Sequence, residues 1–167
     1  GKDDLMIFCI SGGASALLPY PPEGFNLDDE ICLNKVLLKS GLSIKDMNVY
    51  RGAFSQIKAG KLAQMAYPCP IINLVVSDIP GDDITLVGSG PTLIPSTRLL
   101  NPKTPKFGFK IEKYVNKILS SNTDDSTCVN IHNSFCLSSS KILFEEATNY
   151  IERVHGLNTI VLSTEFE

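Results

Sequence analysis

The chain has 167 residues, of which 43% are apolar and 20% are charged, proportions typical of one soluble globular domain or of part of a larger one. The net charge of −3 and the scattered basic residues argue against a nucleic-acid-binding protein, which would carry a basic surface. Apolar runs stay far short of the roughly 20 residues that a membrane span needs, and five cysteines without a CxxC pair favour reduced thiols packed in a core over disulfides or a zinc site. We therefore expect a cytoplasmic protein without nucleic-acid or membrane partners.

The amino-terminal segment predicts a strand followed by a tight turn. Residues 5–10 form a continuous apolar run, which is typical of strands covered on both faces of a parallel sheet. A chain that begins on such a strand suggests a piece of a longer protein. Gly12 and Gly13 follow, and two glycines permit a sharp turn into a helix that starts near Ala14.

Two helices are predicted next from their capping residues. Asn26 caps a helix over residues 27–39, and Ser43 begins a second helix that runs to about Lys58. Because Arg51 and Lys58 are two helical turns apart, they are expected to share one face of the second helix.

The rest of the chain alternates strand and helix patterns. The patterns predict strands at residues 71–76, 127–131 and 159–162 and helices at residues 107–119 and 137–154. Alternation of this kind implies βαβ units and an α/β class with a mainly parallel sheet. Since parallel strands end at a common edge, the loops after residues 10, 76, 131 and 162 are expected to line one rim.

Ser11, Gly12, Gly13 and Ser15 form a candidate anion-binding turn. Glycines without side chains and the free N–H groups of a helix amino end both suit a phosphate. The spacing matches neither the Walker A loop nor the dinucleotide fingerprint. An ordinary turn from strand to helix explains the same residues equally well.

The loop after residues 71–76 carries Ser77 and three aspartates, Asp78, Asp82 and Asp83. Carboxylates here would suit Mg²⁺, which takes few carboxylates and keeps waters or substrate phosphates as its other ligands. Alternatively, an aspartate would position a hydroxyl that attacks phosphorus. Asp82 or Asp83 could instead simply cap the turn.

Three cations and one polar turn complete the candidate groups. Arg51, Lys58 and Lys61 would hold carboxylate or phosphate groups if they line a cleft, although a solvated helix face produces the same spacing. Ser89 and Gly90, within VGSGPT, offer a hydroxyl and a backbone donor to polyol or phosphate oxygens, or else form a rigid turn.

Four motifs in order resemble the amino-terminal domain of the class II glycerate kinases, the family with a carboxyl-terminal MOFRL domain that is sometimes labelled hydroxypyruvate reductase. They are SGGASALLPYPPEG, the segment from Arg51 to KAGKLA, VVSDIPGDD and VGSGPT. The resemblance covers essentially the whole chain. It implies a Rossmann-like three-layer α/β/α domain and phosphate transfer from ATP to glycerate with Mg²⁺ as cofactor.

The resemblance also implies roles for the residues at motif positions. Catalysis is assigned to Asp78, Lys58 and Arg51; nucleotide or substrate binding to Ser11, Gly12, Gly13, Ser15, Lys61, Ser77, Ser89 and Gly90; and metal binding to Asp78 and Asp82. Ala14 departs from the family, which usually has a further glycine there.

Finally, the resemblance implies that residues 1–167 are a fragment of the amino-terminal domain, without the MOFRL domain. We therefore expect little or no kinase activity from this chain alone. A non-catalytic binding or assembly module and a hydroxypyruvate reductase-type oxidoreductase are the alternatives, and the oligomeric state, a homo-oligomer included, stays open.

Overall fold

A computed structural model describes residues 1–79, 81–94, 105–121 and 128–162. Strands and helices alternate through these residues as the sequence pattern predicts. In chain order the elements are β1 (Met6–Ser11), α1 (Ala14–Leu17), α2 (Leu27–Lys39), α3 (Ile44–Ala53), α4 (Lys61–Ala66), β2 (Ile71–Val76), α5 (Phe109–Ser120), β3 (Ile131–Ser138) and α6 (Ser140–His155).

The strands form one parallel sheet in the order β1-β2-β3. Ser11 at the end of β1 pairs with Val76 at the end of β2, and Val76 pairs with Ser138 at the end of β3. The loops that follow β1 and β2 therefore meet at one edge, which is where α/β sheets bind ligands. The predicted α/β class with a parallel sheet is confirmed.

A helical core holds α2, α3 and α5 together. Tyr50 of α3 is almost fully buried, with Leu37 of α2 and Val115 of α5 in the same cluster. The rings of Phe25 and Phe54 pack edge to face, with centroids 4.8 Å apart. Burial of each large apolar side chain contributes about 1.5–3 kcal/mol, so α3 is firmly placed relative to its neighbours.

A smaller core joins the sheet to the turn Val87–Ser89. Ile10 of β1, Val75 of β2 and Val87 of the turn are buried against one another. This cluster fixes the VGSGPT segment next to the carboxyl end of β1.

Both predicted helix caps are confirmed. The Asn26 side chain accepts a hydrogen bond from the N–H of Asp29, whose carboxylate accepts one from the N–H of Asn26. Ser43 Oγ likewise accepts from the N–H of Asp46. Such caps are typically worth about 1 kcal/mol each.

The second helix ends earlier than predicted. α3 stops at Ala53, and Phe54 leaves helical geometry with φ −98° and ψ 30°. Ser55 Oγ then accepts from the N–H of Lys58, which starts a separate turn. The prediction that Arg51 and Lys58 share one helix face was therefore wrong, and both side chains are buried.

The third strand lies later than predicted. β3 spans Ile131–Ser138, and residues 128–130 are not part of a strand. The sequence pattern did not predict this strand, because the polar residues His132 and Asn133 interrupt the alternation of apolar and polar residues. These two residues lie inside β3 and not on the rim, where the Ser77 N–H instead donates to the Ser138 carbonyl at 2.8 Å.

Smaller differences affect the other carboxyl-terminal elements. α5 starts at Phe109 and α6 at Ser140, each two or three residues after the predicted start. Residues 159–162 are not a strand, contrary to the prediction. The predicted rim residues 163–164 lie outside the described residues.

The two faces of the sheet differ in burial. One face carries Ile71 and Val75, which are fully buried, whereas Ile7, Phe135 and Leu137 on the other face are 59%, 45% and 56% exposed. The expectation that β1 is covered on both faces was therefore wrong for the described chain.

Burial also corrects the prediction for the cysteines. Only Cys69 is buried, Cys136 is half-buried, and Cys9, Cys32 and Cys128 are exposed. Among the helices of the described residues, none combines the length and the hydrophobicity that a bilayer crossing needs.

Candidate functional site

A cavity of about 640 Å³ lies at the carboxyl edge of the sheet. The loops after β1 and β2, the start of α3 and the turn Val87–Ser89 surround it. Its lining residues are Gly13, Ser15, Ile44, Lys45, Asp78, Ile79, Gly81, Asp83, Leu86 and Gly88. This volume and position suit a small ligand such as a substrate or part of a nucleotide.

The loops after β1 and β2 touch at Gly12 and Asp78. A Cβ atom added to Gly12 would overlap the Asp78 side chain, closer than the 3.0 Å that real Cβ atoms keep. Glycine at position 12 therefore makes room for the Asp78 carboxylate. The sequence predicted both residues, and the structure brings them together.

The turn after β1 also presents a serine. Gly13 adopts a left-handed conformation, φ 82°, and begins the single turn of α1. Ser15 follows within α1 and lines the cavity, with its Oγ 3.1 Å from Ser89 Oγ. Ser11, at the end of β1, is exposed on the same edge.

The VGSGPT segment is held in an unusual backbone conformation. Gly88, Ser89 and Gly90 have φ values of 60°, 64° and 59°, three consecutive left-handed residues. Left-handed geometry costs an ordinary residue roughly 1–2 kcal/mol, and a Cβ on Gly90 would meet the carbonyl oxygens of Thr85 and Leu93 at 2.5 and 2.6 Å. This segment is therefore a rigid turn that also walls the cavity through Gly88.

The three carboxylates of the acidic loop differ in their hydrogen bonds and in their position relative to the cavity. Asp83 Oδ1 accepts from both the N–H and the hydroxyl of Thr85, so this group caps a turn. Asp82 adopts φ 52° within the turn and does not line the cavity. Asp78 is exposed, lines the cavity and accepts no hydrogen bond from the described residues.

A metal ion would find two carboxylates on this cavity wall, Asp78 and Asp83. No group of three or more His, Cys, Asp or Glu side chains at metal-binding distance occurs in the described part of the chain. Mg²⁺ commonly uses one or two carboxylates and completes its shell with water or phosphate oxygens. The donors present therefore fit that ion but not an all-protein metal cage.

The three predicted cations form hydrogen bonds to other groups of the protein. Lys58 is fully buried, and its Nζ donates to Glu30 Oε1 at 2.6 Å. Lys61 Nζ donates to the carbonyl oxygens of Gly52 and Ser55 at 2.7 and 2.6 Å. Neither lysine is a lining residue of the cavity.

Arg51 is buried without an acidic partner. Its Nε donates to Asn34 Oδ1 at 2.9 Å and its Nη1 to Asn48 Oδ1 at 3.2 Å. No carboxylate within the described ranges lies at ion-pair distance, and burial lowers the pKa of the guanidinium from its ordinary value. Arg51 is thus a buried cation surrounded by neutral amides.

Two residues of α3 were missed by the sequence reasoning. Lys45 lines the cavity and is the cation among its lining residues. Asn48, one helical turn before Arg51, connects that guanidinium to Ser89. The i, i+3 spacing of Lys45 with Asn48, and of Asn48 with Arg51, is a signal that could have identified both.

Three of the predicted residues, Ser77, Ser89 and Gly90, stabilise the segments around the cavity. Ser77 is buried, and its Oγ accepts from the N–H of Ile79, which shapes the start of the acidic loop. The carbonyl oxygens of Ser89 and Gly90 accept hydrogen bonds from the N–H groups of Ala59 and Gly60. These bonds hold the turn against the two residues that follow Lys58.

Comparison with known proteins gives a consistent assignment. A family model described as a domain of unknown function, DUF4147, matches residues 1–115. The sequence is 35% identical to a glycerate kinase of Bos taurus over 97% of this chain and 32% of that protein. It is 48% identical to a protein of Agrobacterium vitis named "Putative hydroxypyruvate reductase", over 59% of this chain and 26% of that protein.

A solved structure shows the same fold. The crystal structure of a glycerate kinase from Thermotoga maritima matches with a TM-score of 0.71 and 26% identity, over 97% of this chain and 39% of that chain. The chain spans about a third or less of the length of these curated relatives. The resemblance to the amino-terminal region of class II glycerate kinases is confirmed, and the chain belongs to the DUF4147 family.

Proposed function

We propose that this chain forms one wall of the active site of an ATP-dependent glycerate kinase. The observation that carries the proposal is the meeting of the Gly12–Gly13 turn, Asp78 and the rigid VGSGPT turn around one cavity at the carboxyl edge of a parallel sheet. The similarity to proteins named glycerate kinase supplies the reaction. The substrates would be glycerate and ATP.

Each group at the cavity would have a role that follows from its chemistry. Backbone N–H groups at Gly12 and Gly13 suit phosphate oxygens, because neither glycine carries a side chain of its own. Asp78 would position the attacking hydroxyl, since its carboxylate faces the cavity without an internal partner. Lys45 would add a positive charge for an anionic ligand.

Mg²⁺ is proposed as the metal cofactor. Asp78 would hold it, together with Asp82 as the sequence predicts or with Asp83, which the cavity wall favours. When bound, the ion would neutralise negative charge on the transferring phosphoryl group.

Arg51, Lys58 and Lys61 would support this wall and would not contact the substrates. Their hydrogen bonds to Asn34, Asn48, Glu30 and backbone carbonyl groups support this reading. The resemblance instead implies catalytic roles for Arg51 and Lys58, and this alternative stays a prediction that turnover of Lys58→Met in the chimera tests.

We further propose that residues 1–167 represent part of the amino-terminal Rossmann-like domain of a cytoplasmic enzyme whose MOFRL domain lies outside them. Phosphoryl transfer needs charge neutralisation from several sides and exclusion of water. One wall supplies neither fully, so the chain alone is expected to show little or no turnover.

The test is a chimera in which residues 1–162 replace the equivalent segment of the Thermotoga maritima glycerate kinase. ATP-dependent phosphorylation of glycerate by the chimera, with turnover reduced at least about 100-fold by Asp78→Asn, would support the proposal. Asp3→Asn, at an exposed position before the amino end of β1 and so at the opposite end of that strand from the cavity, is the matched charge control. A chimera that folds cooperatively without phosphorylating glycerate would contradict it and favour a non-catalytic binding or assembly module.

A hydroxypyruvate reductase is the second candidate, favoured by the name of the Agrobacterium vitis relative. Consumption of NADH with hydroxypyruvate by the same chimera would support it. The sequence contains no dinucleotide-binding fingerprint. We therefore expect no consumption of NADH above background.

A further inference from the structure

A chain of hydrogen bonds connects the buried Arg51 to the cavity through Asn48, Ser89 and Ser15. Asn48 Oδ1 accepts from Arg51 Nη1 at 3.2 Å and from Ser89 Oγ at 3.0 Å, and Asn48 Nδ2 donates to the Leu86 carbonyl at 3.2 Å. Ser89 Oγ in turn lies 3.1 Å from Ser15 Oγ.

The chemistry of these groups fixes the orientation of the Asn48 amide. A guanidinium can only donate hydrogen bonds, and a backbone carbonyl can only accept them. The amide oxygen must therefore face Arg51, and the amide nitrogen must face Leu86. A flipped amide would place donor against donor and acceptor against acceptor.

The orientation of Asn48 then fixes the direction of the next two bonds. A serine hydroxyl has one proton, and the Ser89 proton is used on Asn48 Oδ1, which has none to give. Ser15 must therefore supply the proton of the Ser15–Ser89 bond. With its proton committed to Ser89, the Ser15 oxygen can offer only lone pairs to the cavity.

We propose that Arg51, Asn48 and Ser89 are positioning residues that make Ser15 a hydrogen-bond acceptor, so that Ser15 selects a hydroxyl group of the substrate and not a phosphate oxygen. The inference rests on the proposed function for the identity of the substrate, but the direction of the bonds does not. It assigns the hydroxyl-bearing substrate to the α1 side of the cavity, because Ser15 lies on α1.

This assignment divides the SGGAS turn into two parts. The N–H groups of Gly12 and Gly13 remain available to anionic oxygens. Ser15, three residues after Gly12, repels them because two acceptors would face each other. It also gives Arg51 an influence on ligand selection without contact between its side chain and the cavity.

Neutron diffraction from crystals of the deuterium-exchanged 167-residue chain tests the direction of the bonds. We expect the Ser89 deuterium to point to Asn48 Oδ1 and the Ser15 deuterium to point to Ser89 Oγ. A Ser89 deuterium that points to Ser15, or a Ser15 deuterium that points into the cavity, would overturn the inference.

Ligand selection is tested in the glycerate kinase chimera described above, with propionate as a competitor that keeps the carboxylate of glycerate but lacks its hydroxyls. Ser89→Ala frees the Ser15 proton, so we expect the preference for glycerate over propionate, measured as KM against the inhibition constant, to fall about two- to tenfold.

Two control variants separate positioning from a general loss of structure. Ser15→Ala removes the acceptor itself without altering the left-handed turn at Ser89 and should lower the preference as Ser89→Ala does, and Ser120→Ala, at the end of α5, should change nothing. An unchanged preference in Ser89→Ala would overturn the inference while leaving the kinase proposal intact. An inactive chimera with the expected deuterium positions would overturn the kinase proposal alone.

Discussion

The Asp78 carboxylate occupies the space that a side chain at Gly12 would take. This relationship joins the loops after β1 and β2, which are far apart in sequence and adjacent through the pairing of Ser11 with Val76. The candidate site depends on this contact because it places an acidic group beside the glycine turn.

Gly12→Ala is expected to displace Asp78 and to impair the site far more than the fold. The added methyl group overlaps the Cβ of Asp78 as well as its carboxylate, so rotation of the side chain alone cannot relieve it. In the chimera, turnover should fall at least about tenfold, as expected when a catalytic group moves by a fraction of an ångström to 1 Å. Gly108→Ala, where a Cβ meets nothing within 4 Å, is the matched control; wild-type turnover in Gly12→Ala would contradict the prediction.

Gly90→Ala is expected to destabilise the chain by at least about 2 kcal/mol, because a left-handed alanine is strained and its Cβ would press on two backbone carbonyl oxygens. Gly156→Ala, φ 62°, carries the same backbone strain in open space. The difference in free energy of unfolding between the two variants, measured with urea, isolates the steric contact. Equal losses would show that the contact contributes nothing.

Lys58→Met is expected to cost about 3–5 kcal/mol of stability, because it leaves the Glu30 carboxylate charged, buried and unpaired. Glu30 Oε2 already has no hydrogen-bond partner among the described residues. The double variant Lys58→Met with Glu30→Leu should recover most of the loss, since both charges are removed. If Lys58→Met unfolds like wild type in urea and yet abolishes turnover in the chimera, the result would instead support a catalytic role for Lys58.

The unequal faces of the sheet predict unequal tolerance to polar substitution. Phe135→Thr, on the exposed face, should change the free energy of unfolding by less than about 1 kcal/mol, whereas Val75→Thr, which is fully buried, should cost about 1–3 kcal/mol. Thermal unfolding of the two variants, followed by circular dichroism, provides the measurement. Similar losses at both positions would indicate that the Phe135 face is covered in solution.

Features determined by neighbouring residues were predictable from the sequence. The capping box of Asn26 and Asp29 sets the start of α2, and the structure reproduces the predicted bounds of that helix. The rim formed by Ser11 and Ser77 followed from the alternation of strand and helix patterns, since parallel strands share a carboxyl edge.

Features determined by tertiary contacts were not predictable in the same way. The helical spacing of Arg51 and Lys58 suggested one face, but the N–H groups of Ala59 and Gly60 bond to Ser89 and Gly90 and draw the chain out of the helix. The burial of Lys58 depends on Glu30, which is 28 residues away, and spacing does not reveal that pair.

The parallel sheet also has a consequence for how the site comes into existence. Met6 pairs with Ile71, and Ile71 pairs with Ile131, so each pairing closes a loop of about 60 residues. The entropy of loop closure is lost before the contacts between the strands can stabilise the pair. Such distant pairings slow folding, and the rim of Ser11, Ser77 and Ser138 is complete only when both have formed. A ligand at this rim would therefore bind the fully assembled sheet alone, and it should slow hydrogen exchange in all three strands together.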